Sequence, residues 1–347
     1  MLCDRTATEI LQDLARGSLT AEALMEATLA RIAERNPELN AIVALRPAEE
    51  LMAEARAADA VPMDERGVLH GVPMAIKDLS NAKGLVCAQG SPIFAGQVAQ
   101  DDDIFVARLR AAGVIVIGKT NTPEFGITGT TEGAFHGPCR NPWNTDYIPG
   151  GSSGGAAASV AAGVLPMAHA SDGLGSIRIP AACCGLFGMK TTRDRNPNSS
   201  YDDAAAIGMT VEHVVSRSVR DSAALLDATG YPEPGAPFAY PGKERPYAEE
   251  VGAPVGRLRV AFHSETPSGR PVAPEIRAAL EETAKLLEAL GHDVDTTLAA
   301  FREGRSGITA LNFRDVDRLS IQIGAQIHDW RPEDYFNRQQ ILLYDKF

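Results

Sequence analysis

The stretch Pro149 to Gly163 reads PGGSSGGAAASVAAG, so Ser152 and Ser153 sit between two pairs of glycines. A hydroxyl on so open a backbone is accessible to a carbonyl substrate. It is a weak nucleophile until a base takes its proton. Ser176 lies in a similar setting, SDGLGSIRIPA, 24 residues past Ser152. Consecutive backbone N–H groups around Gly175 and Ser176, at the mouth of a helix, would make an oxyanion hole. No histidine is placed near these serines by motif. Lys77 ends the apolar stretch VPMAI, and a desolvated lysine loses pKa and can act as a base. Each feature alone also has an ordinary reading. The glycine cluster is a strand-to-helix turn, Lys77 a surface lysine at a strand end, and Ser176 a loop serine.

Two other motifs compete for attention. GVIVIGKT, Gly113 to Thr120, satisfies the Walker A pattern. Its four central positions are Val-Ile-Val-Ile, which read as a strand rather than a phosphate-wrapping loop, and Pro123 follows where the helix should run. Nucleotide binding is therefore not expected. The glycine loop also satisfies G-x-S-x-G around both Ser152 and Ser153. The residues before it, NPWNTDYIPGG, are polar and contain Pro149, unlike the strand before a nucleophile elbow. A serine esterase drawing on His292 or His328 is the minority reading.

The elements that must position these residues come from a chain of 347 residues with a formal charge of −12. That length buries a substantial core. The acidic balance disfavours nucleic acid and anionic membrane as partners. No apolar run is long enough to span a bilayer. The charged N-terminus lacks the apolar centre of a signal peptide, which points to a cytoplasmic protein. Five cysteines, two of them adjacent and none in a CxxC, suggest reduced thiols rather than disulfides or a zinc site. The scattered histidines offer no metal spacing, so neither metal nor cofactor is expected.

The periodicity predicts a helix capped by Thr20 and stopped at Asn36-Pro37, and a second from about Pro47 to Ala58. GVPMAIKD and VIVIG read as buried strands, with a helix between them capped by Asp103. AAASVAAG reads as a helix, VLPMAHA as a strand, GSIRIPAACCG as irregular then helical, and LFGMK as a short strand. Asn196 to Val211 reads as loop, and Ser218 to Asp221 as a capping-box-like helix start. RLRVAF and HDVDT read as strands flanking APEIRAALEETAKLLEALG, the clearest amphipathic helix. This alternation implies an α/β fold, with a mixed, mostly parallel central sheet covered by helices.

Taken together, GVPMAIKD, LRAAGVIVIGKTNTPEFG, RNPWNTDYIPGGSSGGAAASVAAG, HASDGLGSIRIPAACCGLFGMK and SRSVRDSAALLDATG resemble the amidase signature family. The chain is most similar to its bacterial amidases related to 6-aminohexanoate-cyclic-dimer hydrolase. The resemblance covers about Thr6 to Asp295 and implies one family domain over 1–347, with its signature core at about 65–230. It implies hydrolysis of a carboxylic amide to acid and amine through an acyl-serine, without a cofactor, on a small-molecule substrate. By motif match Ser176 is the nucleophile. Ser152, joined to Gly151 by a cis peptide, relays the proton, and Lys77 is the base. Gly173, Leu174 and Gly175 border the oxyanion hole, and Ser153, Asp172 and Arg178 support the site by hydrogen bonds. The chain departs from the family at Leu174, where a small residue is usual, and at Thr191 and Asp194, where proline and glycine are usual. A positive φ at Leu174 would strain it. The family fold continues beyond the equivalent of Phe347, so a C-terminally incomplete sheet and self-association are expected. Leu319, Ile321, Ile323, Ile327 and Ile341–Leu343 would then face a missing partner. The competing functions are a non-catalytic amide-binding subunit and the A subunit of a glutamine-dependent tRNA amidotransferase.

Overall fold

The computed structural model describes residues 2–197, 209–234, 242–260, 262, 264 and 270–291, and the short strands 308–310 and 323–325. The chain divides into two compact units, Met1–Ala253 and Pro254–Phe347. The first unit holds eight helices among its described residues: α1 (Ala7–Arg16), α2 (Ala21–Leu39), α3 (Ala48–Asp59), α4 (Ile104–Ala111), α5 (Gly154–Ala161), α6 (Arg178–Cys184), α7 (Val219–Thr229) and α8 (Tyr247–Glu250). Its strands are β1 (Ile42–Leu45), β2 (Pro73–Lys77), β3 (Ile115–Thr120), β4 (Met167–Asp172), β5 (Phe187–Gly188) and β6 (Val211–Ser216). The second unit contains α9 (Pro274–Ala289), β7 (Ile308–Ala310) and β8 (Ile323–Ala325), the last two paired antiparallel.

One sheet runs β1-β3-β2 and another β4-β6-β5. Alternate residues of β2 and β3 enter two different cores, which is why PMAI and VIVI are apolar throughout. Ala75, Ile115 and Ile117 pack with Met25 and Ile32 of α2, Leu51 of α3, and the small residues of α5. Met74, Ile76 and Val116 pack on the other side with Ile10 of α1, Phe105 and Leu109 of α4, and Leu225 of α7. Helices therefore cover both faces of the sheet, the α/β arrangement expected. The pairing is more antiparallel than the alternation of elements implied. Among the described strands β2 and β3 run parallel, while β1–β3, β4–β6 and β5–β6 are antiparallel.

Several local expectations need correction. α2 does not stop at Asn36-Pro37 but continues to Leu39. Pro37 costs one N–H close to the helix end, where few bonds remain to be lost. The Asn36 side chain then catches the exit, accepting from the N–H groups of Ala41 at 2.9 Å and Ile42 at 2.8 Å. Asp103 holds the N-cap position of α4 but makes no side-chain cap bond. Its carboxylate instead accepts from the Asn81 backbone at 2.7 Å. β6, the middle strand of its sheet, begins at the last residue of a stretch read as loop. RLRVAF forms no strand where described beyond one bridge residue, Arg259. HDVDT lies outside the described residues, as do Leu319, Ile321, Ile327 and Ile341–Leu343. Within α9 no residue is buried, despite its amphipathic pattern.

Candidate active site

Lys77 is the last residue of β2, and its side chain is fully buried. Its Nζ donates to Ser152 Oγ at 2.8 Å and to Ser171 Oγ at 3.0 Å. Burial pulls its pKa down from the ordinary lysine value to about 7, with Glu212 and Asp172 opposing that shift. An amine so perturbed exchanges protons near neutrality, and both of its close partners are hydroxyls.

The loop before α5 brings Ser152 to this amine. The Gly151–Ser152 peptide is cis, as the resemblance implied. Thr131 Oγ1 donates to Gly150 O at 2.8 Å and ties the loop from outside. A Cβ at Gly151 would come within 2.8 Å of the Thr130 backbone nitrogen, so a side chain there is excluded. Ser153 Oγ donates to Ser171 O at 3.3 Å, which fastens the loop to β4. The run of alanines then buries α5 completely from Gly154 to Val160, because larger side chains would hold it away from the strands.

Ser176 follows β4 and precedes α6. The Ser153 N–H donates to Ser176 O at 3.3 Å, which brings the two serine-bearing segments into backbone contact. Ser176 is half-buried, and its Oγ makes no hydrogen bond among the described residues. Asp172, wholly buried, organises this turn. It accepts from Gly175 N at 2.7 Å, Ile177 N at 3.2 Å, and Arg178 Nε and Nη2 at 2.9 and 3.1 Å. Burial alone would raise its pKa. The Arg178 guanidinium and these N–H groups outweigh that and hold it below the usual carboxylate range. One detail of the oxyanion expectation changes. The Gly175 N–H is spent on Asp172, while those of Gly173, Leu174 and Ser176 have no partner among the described residues. Leu174 is also relieved of strain. It is absent from the residues with positive φ, whereas Gly175 has φ 118°, and its side chain is 86% exposed.

Three side chains here were missed from sequence. Ser171 touches the Lys77 amine, and His169 and Glu212 lie buried beneath it. Ser171 and His169 fall inside a quoted motif. Glu212 falls in TVEHVV, where β-branched residues on both sides of a polar pair signal a buried strand. Lys119 of the Walker-like stretch is buried at the end of β3 and donates to Ser80 O, so no phosphate loop forms. His292 and His328 lie outside the described residues. Among the described residues no three His, Cys, Asp or Glu side chains gather as a metal set. Nor does any described helix have the length and apolarity to cross a membrane.

Residues 23–313 match the protein family described as Amidase. The chain belongs to the amidase family. It is 41% identical over 290 residues to the 6-aminohexanoate-cyclic-dimer hydrolase of Paenarthrobacter ureafaciens, covering 80% of this chain and 56% of that one. It is 37% identical over 295 residues to an acylamidase of Rhodococcus erythropolis, covering 83% and 60%. Among solved structures, 6-aminohexanoate cyclic dimer hydrolase complexed with substrate superposes with a TM-score of 0.77 at 38% identity, covering 84% of this amidase-family chain and 60% of that chain. The chain thus spans somewhat over half the length of the curated relatives it matches.

Proposed function

We propose that this protein hydrolyses the C–N bond of a carboxylic amide, giving acid and amine through an acyl-serine. The observation that carries the proposal is the Lys77 amine, fully buried, 2.8 Å from Ser152 Oγ, with its pKa drawn down to about 7. Neutral Lys77 takes the Ser152 proton as Ser152 takes that of Ser176. The Ser176 oxygen then bonds the amide carbon. The unpartnered N–H groups of Gly173, Leu174 and Ser176 receive the negative charge that develops on the carbonyl oxygen. The proton held by Lys77 returns through Ser152 to the leaving amine as the C–N bond breaks. Water then releases the acid by the same relay in reverse. Ser153 and Asp172 hold the two loops in register, and Arg178 neutralises Asp172.

The relatives' names, an acylamidase and a cyclic-dimer hydrolase, support an amide as substrate. The family match crosses the boundary between the two compact units, which supports a single family domain over 1–347. Cys87, Cys139, Cys183 and Cys184 are free thiols, which favours a cytoplasmic setting. Self-association belongs to the same reading, and sedimentation measures it. The non-catalytic reading loses part of its motive, because Leu174 is neither strained nor packed inward. Wild type should react with a serine-directed fluorophosphonate and turn over members of a panel of cyclic and linear amides. Ser176→Ala should do neither. A Ser176→Ala variant that keeps wild-type labelling and turnover overturns the proposal. Co-purification with a B-type amidotransferase subunit would replace it with the tRNA amidotransferase reading.

A further inference from the structure

Beneath Lys77 lies a buried pair that the relay does not use. The Lys77 backbone N–H donates to His169 Nδ1 at 3.0 Å. A backbone N–H can only donate, so Nδ1 is the unprotonated nitrogen and the proton sits on Nε2. That Nε2–H reaches Glu212 Oε2 at 2.6 Å. His169 is fully buried, Glu212 nearly so, and the Phe105 ring packs 5.3 Å from the imidazole. The β4–β6 register, with Ser171 opposite Glu212, holds the carboxylate on the sheet under the lysine.

The charges around Lys77 sort themselves by partner. Asp172 is paired with Arg178. Asp78, the next residue, accepts from Ala88 N, Gly90 N and His136. Lys119 on β3 donates to Ser80 O. His213, beside Glu212 on β6, bonds Ser222 and Asn196. Glu212 has no lysine or arginine partner among the described residues, and its carboxylate is the first of the charges that favour the ammonium form of Lys77.

We propose that His169 and Glu212 are positioning residues for Lys77: His169 fixes the end of β2 through the backbone, and Glu212, held by His169 and opposite the Ser171 that the amine contacts, supplies negative charge to the surroundings of the lysine. The inference rests on the amidase reading only for its consequence on rate. The test follows Lys77 itself, in the full chain labelled with ¹³C,¹⁵N-lysine, its signal assigned with Lys77→Arg. In Glu212→Gln the Lys77 titration midpoint should fall by about half a pH unit or more, and Glu212→Asp should keep it near wild type. Hydrogen exchange at the Lys77 amide should quicken in His169→Ala. It should stay slow in His169→Asn, whose side-chain oxygen can take the same N–H. An unmoved midpoint in Glu212→Gln overturns the electrostatic half. Unaltered exchange in His169→Ala, with only the melting temperature lowered, overturns the backbone half. If Glu212→Gln does not fold, Glu212→Met removes the same charge and is read in its place, with the same expected fall and the same overturning result. Where amide turnover is measurable, the acid limb of kcat/KM should follow the Lys77 midpoint. A midpoint that moves while the acid limb stays put removes Lys77 from the reaction and leaves this proposal standing.

Discussion

Two lysines are buried on the neighbouring strands β2 and β3 of this protein, and their side-chain partners differ. On the parallel pair β2–β3, Ile76 lies opposite Lys119 and Lys77 opposite Thr120. Both amines are fully shielded, and burial lowers both pKa values. Lys77 faces the hydroxyls of Ser152 and Ser171. Lys119 faces the Ser80 carbonyl and the Cys87 thiol, with Asp78 and Asp103 around it. Ser152 lies in a loop whose backbone contacts Ser176, so a proton given to Lys77 can come from the site, whereas the Ser80 carbonyl can only accept and the Cys87 thiol is buried with its pKa raised. Burial alone therefore makes a perturbed lysine. The partner decides whether it can serve as a base.

The sharpest way to break this comparison is to truncate each lysine to the same apolar shape. Lys77→Met should lower amide turnover by about 10³-fold or more, because the proposed proton acceptor is gone. Lys119→Met should leave turnover within about tenfold and act on stability, by removing the donor to a buried carbonyl. Equal losses in single-turnover acylation would mean that the partners do not distinguish the two sites. Next in size is the hydroxyl pair. Ser152→Ala should cost roughly 10²–10³-fold in acylation rate, and Ser171→Ala about tenfold, since only the first belongs to the proposed relay.

A third prediction concerns stability, and its sign follows from linkage. The folded Lys77 pKa lies below the unfolded one, so the folded chain binds fewer protons between about 7 and the ordinary lysine value. Stability contributed at this site therefore rises with pH across that window, and the penalty is complete below it. Lys77→Met should melt above wild type at pH 6, by a margin on the order of a few kcal/mol in free energy, and the margin should close toward pH 10. A margin independent of pH would show Lys77 to be unperturbed. The smallest effect is expected at Leu174. With φ outside the left-handed region and its side chain exposed, Leu174→Gly should change turnover by no more than about threefold and melting by no more than about 2 °C.

Much of this was legible in the sequence, and the illegible part has a common cause. Strands β2, β3 and β4 read as apolar runs because helices cover both of their faces. The serines and Lys77 stand out because glycine, serine and a strand-end lysine occur in long motif contexts. Glu212 and His213 hid β6, since a period-based reading takes consecutive polar residues for surface. Here each is buried against a specific partner, His169 for one and Ser222 for the other. Pro37 misled in the opposite way: a proline near a helix end forfeits little, and the Asn36 side chain recovers it. Asp194 was marked as a departure from glycine, and its φ of 55° shows the left-handed backbone that glycine would favour. Asp tolerates that region better than most residues, so the substitution is absorbed.

Gly155, the second residue of α5, has a consequence for how such a protein can change over time. Its N–H donates to Asn121 O at 3.1 Å, and any Cβ there would collide with the backbones of Asn121 and Ala41. The serine loop is thus registered against β3 and the start of β1 by main chain rather than by side chains. Main-chain contacts do not drift with the amino-acid alphabet around them. Lineages, or libraries in the laboratory, can therefore vary the exposed residues near the site, such as Phe125, Ile127 and Ile179, without shifting the Ser152 hydroxyl. The same freedom stops at position 155, where even alanine should be purged.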